Sequence, residues 1–167
     1  MNYAKAKVFW DGQRMQQKQM EPSEVKREID EFLHSQKICC IATGYGMSVR
    51  STTMQYLYND GCLWFLTEGG HKFDGLEMNK NVSISVFTTD RAEGENIGLQ
   101  VAGVAEIYGT DSDEFDHFIN VRKIKREAVE KLGHPVYVIK VEPVSYEILN
   151  NAFEKRGYGK RQMLIAE

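Results

Sequence analysis

Residues 38–67 read ICCIATGYGMSVRSTTMQYLYNDGCLWFLT, and this stretch decides how the chain folds. Ile38 to Thr43 is a short apolar run of the kind found in buried strands. Gly44, Tyr45 and Gly46 turn it. Ser48 to Tyr58 is rich in Thr, Val and Tyr, which suit a pleated, half-buried surface. Asn59-Asp60-Gly61 is a hairpin signal, because Asp-Gly tolerates the positive φ angles of a tight turn. Cys62 to Thr67 is the return strand. The stretch therefore predicts a three-stranded antiparallel meander.

Beyond Thr67, a loop from Glu68 to Lys72 leads into a short helix over Phe73–Asn79, with Phe73, Leu76 and Met78 inward. Val82, Ile84 and Val86 alternate with Ser83 and Ser85, the period of a strand. Residues 89–96 are polar and read as a loop. Ile97 to Tyr108 is a strand whose Gly103 marks a bulge or a close backbone approach. A helix is expected from Asp111 to Leu132, opened by acidic residues and closed by Gly133 and Pro135. Val136 to Leu149 is a long strand interrupted at Pro143. Upstream, Pro22 opens a helix whose Val25, Ile29, Phe32 and Leu33 form one apolar stripe, ending near Gln36. The expectation is an α+β fold, mainly β. About six strands form an antiparallel sheet that must close or be covered, with helices flanking it.

The 167 residues suit one domain, 1–167, with an N-terminal extension (1–21) and a basic tail (150–167). Val8, Phe9 and Trp10 are the apolar cluster of the extension, placed to pack on the domain or on a partner chain. Lys155, Arg156, Lys160 and Arg161 make the tail basic. A net charge of −3 argues against a general nucleic-acid binder. Cys39, Cys40 and Cys62 form no CxxC pair, so reduced, packed thiols are expected rather than a disulfide or zinc site. No signal-peptide pattern and no run near 20 apolar residues is present, so a cytoplasmic protein without a membrane span is expected.

Two segments can carry chemistry. Arg50-Ser51-Thr52-Thr53 offers a cation and hydroxyl donors from one side of a strand. Thr67-Glu68-Gly69-Gly70-His71-Lys72 offers a curled backbone whose N–H groups can form an anion nest, followed by a lysine at a helix start. The two flank one hairpin, so together they suit a phosphate monoester. No paired-carboxylate site and no nucleophile–His–acid set is readable. His34 and His117 read as solvated or capping residues, and Trp64 and Phe65 as core.

With these residues in view, Phe32 to Thr88 resembles the pyridoxamine-5′-phosphate-oxidase-like flavoproteins. The matching text is IATGYGMSVRSTTM, NDGCLWFLT and GGHKFDGLEMNKNVSISV, with a weaker match through Gly98–Tyr108 and Val136–Leu149. The resemblance implies a six-stranded antiparallel split β-barrel, FMN as cofactor and a homodimer with FMN at the subunit interface. It implies FMN contacts from Arg50, Ser51, Thr52, Thr53 and Met54, and less directly Gln55. Leu66 and Thr67 would lie along the isoalloxazine or ribityl chain. His71 and Lys72 would hold the phosphate, and Gln100 would reach flavin across the interface. It implies an oxidoreductase acting on a small redox substrate. His71 stands where the oxidase has Arg, and Gln55 where it has Lys. The oxidase's C-terminal substrate signature is not matched by Gly157–Gln162, so the oxidase itself is not expected. Related barrels use haem or a deazaflavin; for haem, His134 or His117 would be the axial candidates. A non-catalytic flavin-binding sensor is the other alternative.

Overall fold

Tyr56 is the hinge of the architecture. In a computed structural model describing residues 3–88 and 96–166, its N–H donates to the Lys37 carbonyl (3.1 Å) and its hydroxyl to the Leu33 carbonyl (2.8 Å). It ends strand β2 (Ser48–Gln55), which pairs along its whole length with β1 (Ile38–Tyr45). The chain then leaves that edge. β3 (Leu57–Asn59) and β4 (Cys62–Thr67) pair with each other and join the far end of the sheet. The expected meander is thus two separate hairpins. The apolar alternation runs unbroken through Met54, Tyr56 and Tyr58, so the local pattern holds no sign of the change of partner.

The remaining strands are β5 (Asn81–Phe87), β6 (Ile97–Tyr108), β7 (Tyr137–Asn150) and β8 (Arg161–Ile165). All pairings are antiparallel, in the order β2-β1-β5-β6-β7-β4-β3, with β8 also on β7. The sheet curls until the Cα atoms of β2 and β4 approach within 8 Å, with no ladder between them. A mainly β, split half-barrel with flanking helices results, as expected, but with eight strands among the described residues instead of six. β8 hides in the basic tail, because its most buried residue is a polar one and only Leu164 beside it is an inward apolar residue. Gln162 is buried, accepting the Met20 N–H (2.9 Å) and donating to the Gly159 carbonyl (2.6 Å).

The barrel interior is filled by alternate residues of the strands, among them Ile41, Leu63, Ile84, Val101, Ile139 and Ile148. Helix α2 (Pro22–Ser35) plugs one end with Val25, Ile29, Phe32 and Leu33, the predicted stripe. Helix α3 (Lys72–Met78) buries Leu76 but leaves Met78 exposed, against expectation. The predicted helix over 111–132 is two: α4 (Asp113–Arg122) and α5 (Arg126–Glu130). Lys123 is left-handed (φ 57°), which turns Ile124 onto a second cluster around Trp64, Phe115 and Phe118. Residues 3–16 form helix α1 (Tyr3–Gln16), and the tail carries a short α6 (Ala152–Lys155). The predicted loop 89–96 lies outside the described residues except Asn96. The three thiols are free.

Candidate functional site

The split between β2 and β4 brings two unpaired strand edges face to face. β2 is an outer strand, and β4 beyond Trp64 has β7 on one side only. Their free N–H and C=O groups need partners from a ligand or water.

Antiparallel register sets which side chains look into the split. Arg50, Thr52 and Met54 pair with Thr43, Ile41 and Cys39, so they share the inner face. Ser51 and Thr53 pair with Ala42 and Cys40 and look outward. The expected one-sided display of Arg50 and three hydroxyls is therefore corrected: successive strand residues alternate faces. Thr52 Oγ1 is buried and has no hydrogen-bond partner. A lone buried hydroxyl is costly, by about 1–3 kcal/mol, and beside an open edge it marks a place for a bound acceptor or donor.

Lys72 is nearly buried at the start of α3. Burial lowers its pKa, and the Arg50 guanidinium lowers it further, with Glu68 opposing. The two cations thus sense each other across the split, an arrangement that an anion would relieve. Gly69 and Gly70 both have positive φ (102° and 86°). The Gly69 N–H is not free, as an anion nest requires; it donates to Thr67 Oγ1 (3.1 Å), while Lys72 Nζ donates to the Gly69 carbonyl. Thr67, Gly69 and Lys72 therefore form one knot that fixes the loop. His71 is exposed beside Asp74 (3.2 Å).

Two cavities continue the split. One, of about 320 Å³, is lined by Arg50, His71, Asp74, Ser48 and the Gly44 turn. The other, about 380 Å³, is lined by Thr53, Met54, Gln55, Leu66, Trp64, Phe118 and Arg122. Met54 from β2 and Leu66 from β4 thus face one cavity from its two sides. Gln100 is not brought there. It sits on the outer face, in the cross-strand row Thr53–Cys40–Ser85–Gln100, three strand spacings (roughly 14 Å) from Thr53.

Reading the sequence missed several supports. Gly75 packs α3 so tightly on β1 that a Cβ there would lie 3.2 Å from the Gly44 nitrogen. Asn79 Nδ2 donates to the Gly44 carbonyl (3.0 Å), which holds the turn. Arg122 and Phe118 arrive from α4, far along the chain, with no local signal. His117 is half-buried against Trp64 (ring centroids 5.2 Å apart) rather than simply solvated. Among the described residues, no group of three His, Cys, Asp or Glu could hold a metal. None of their helices is long and apolar enough to cross a membrane.

The sequence model of pyridoxamine 5′-phosphate oxidase matches residues 25–149. The chain belongs to that family. Its match covers β1 to β7, including both walls of the split. Comparison with curated proteins returns no match. Among solved structures, the family fold recurs at low identity. A candidate pyridoxamine 5′-phosphate oxidase from Listeria innocua superimposes with TM-score 0.58 and 18% identity, over 76% of this chain and 99% of that one. An FAD-binding protein from Mesorhizobium loti gives 0.56 and 15%, over 71% and 89%. The haem storage protein HutZ from Vibrio cholerae gives 0.58 and 18%, over 75% and 91%. At such identities the likeness is one of fold.

Proposed function

We propose that the chain is an FMN-binding flavoprotein of the pyridoxamine 5′-phosphate oxidase family, working as a cytoplasmic homodimeric oxidoreductase on a small redox substrate. The observation that carries this reading is the split itself. It sets two cations, Arg50 and Lys72, beside an unpartnered Thr52 hydroxyl and two free strand edges.

The residues fit a flavin mononucleotide in their chemistry. Arg50 and Lys72 would neutralise the phosphate, with His71 at the open rim. Charge-assisted hydrogen bonds of this kind are worth about 1.5–3 kcal/mol each. Thr52 would bond the ligand from the inner face. The β2 edge at Ser51, Thr53 and Met54 would bond through its backbone, and Leu66 and Thr67 would close the opposite wall. When bound, the flavin supplies hydride and electron transfer. The chain then needs no general base of its own, only orientation and exclusion of water. Gln100 can take part only from a second copy, since its own barrel separates it from the split.

Titration of the purified protein with FMN tests the reading. A bound-flavin visible spectrum and quenched flavin fluorescence at one FMN per chain are expected. No binding signal at saturating FMN overturns it, and a Soret band on haem addition without FMN binding would replace it with the haem reading. Oxidation of reduced nicotinamide by the loaded protein separates an oxidoreductase from a flavin-binding sensor.

A further inference from the structure

Two features of the molecule have no role in the split, and each supplies what the other lacks. The first is α1. Every residue from Tyr3 to Trp10 is exposed, including Val8, Phe9 and Trp10, the last two edge to face at 5.2 Å. Among the described residues, α1 packs extensively against no other element. A lone 14-residue helix is marginal in water, and Gly12 within it costs roughly 1 kcal/mol more. Its order therefore asks for a covering surface.

The second feature is a wedge beside the middle of β7, lined by none of the residues of the split. β7 changes partner there: Tyr137–Val141 pairs with β4, and Ser145–Leu149 pairs with β8. The two partner strands diverge beside Glu142 and Pro143, where β7 also bulges against β6. Proline suits the gap, because it has no N–H to leave unpaired. The result is a cavity of about 740 Å³ floored by Cys62, Pro143, Tyr146 and Leu164. Its rim carries Asp60, Glu142 and Lys26. Lys26 is tied to Asp30 (2.6 Å), Glu142 to Lys140 (2.6 Å), and Asp60 lies 3.6 Å from His117.

We propose that this wedge receives Phe9 and Trp10 of α1 from a second copy of the chain, reciprocally. Charge favours it: Lys5, Lys7 and Arg14 against Asp11 give α1 +2, so the rest of a chain of net charge −3 carries −5. Area favours it too. Aromatic side chains bury about 150–250 Å² each. Two of them with Val8, exchanged in both directions and counted with the wedge surfaces they cover, approach the roughly 800 Å² per partner of a stable interface. The contact needs no flavin, so it stands or falls apart from the reading of the split.

Native Cys62 in the wedge allows a direct test. Trp10→Cys is made in a Cys40→Ser background and oxidised in dilute solution. A covalent dimer that disappears on Cys62→Ser is expected. Absence of that dimer, a link within one chain, or a dimer that survives Cys62→Ser overturns the proposal. A second measurement uses Trp64→Phe, which leaves Trp10 as the lone tryptophan. Its emission should be that of a sheltered indole and shift to the red on Asp60→Lys with Glu142→Lys. Solvent-exposed emission that those charge reversals leave unchanged overturns it.

Discussion

Gly103 and Val141 meet so closely that no side chain fits between them. A Cβ on Gly103 would lie 2.6 Å from Val141 Cγ1 and 2.8 Å from the Glu142 carbonyl oxygen. The contact sits at the register shift between Ala102 and Gly103, where β6 and β7 slide past each other. Gly103→Ala should therefore cost about 1–3 kcal/mol through overpacking, because backbone on one side cannot move aside. A thermal melt checks it: a fall of at least a few degrees is expected. An unchanged melting temperature would mean that the bulge is loose.

Much of this fold was legible because its signals are local. Gly103 announced the bulge, Pro22 the start of α2, and the serines of β5 its outer face. What was missed depends on partners distant in sequence. Tyr56 continues the strand alternation while its backbone changes direction, so periodicity alone joins β2 to β3. Gln162 points inward as a polar residue, and a hydrophobicity pattern passes over it. At the site, Arg50 and Lys72 were readable as a pair, since one hairpin separates them. The alternation of Ser51 and Thr53 away from Arg50 follows from strand geometry and was available from the start. The capture of the Gly69 N–H by Thr67 was not, because it depends on one rotamer.

Thr52 provides a test that separates folding from binding. Its hydroxyl is buried and has no hydrogen-bond partner within the chain. Thr52→Val keeps the shape and removes the orphan, so the ligand-free protein should be as stable or more stable. FMN binding should weaken by roughly 2–12-fold, the net worth of one hydrogen bond. Urea unfolding without ligand and FMN titration read the two effects. A clear loss of ligand-free stability would show that the hydroxyl already has a partner.

Lys72 distinguishes phosphate from the rest of the flavin. Lys72→Ala should weaken FMN by roughly 10–150-fold, the worth of one charge-assisted bond. Riboflavin, which lacks the phosphate, should lose little. Because Lys72 also ties to the Gly69 carbonyl, the variant's loop loses one anchor. Riboflavin binding is the internal control for that loss. Equal weakening of both ligands would assign Lys72 to the loop alone.

Alkaline pH should unfold this barrel earlier than its charge suggests. Burial, and then the neighbouring Cys40, push the Cys39 thiol from 9.0 up to about 12. Burial likewise pushes Tyr146 from 10.0 to about 12, and raises Tyr56 and Tyr58, the latter also through its bond to Asp30 (2.6 Å). In the unfolded chain these groups ionise at their ordinary values, so between pH 9 and 12 the folded state binds more protons. Stability is then full below pH 9 and falls as pH rises through that window. Urea midpoints at pH 8, 9, 10 and 11 should decline steadily. Cys39→Ala lowers the starting stability by opening a small cavity, but it should make the decline between about pH 9 and pH 10 shallower, leaving the part carried by Cys62, whose thiol burial also raises, before the tyrosines begin to ionise. A flat profile to pH 11 in the parent chain, or a decline whose steepness Cys39→Ala leaves unchanged, would mean that these thiol and phenol groups reach water in the folded barrel.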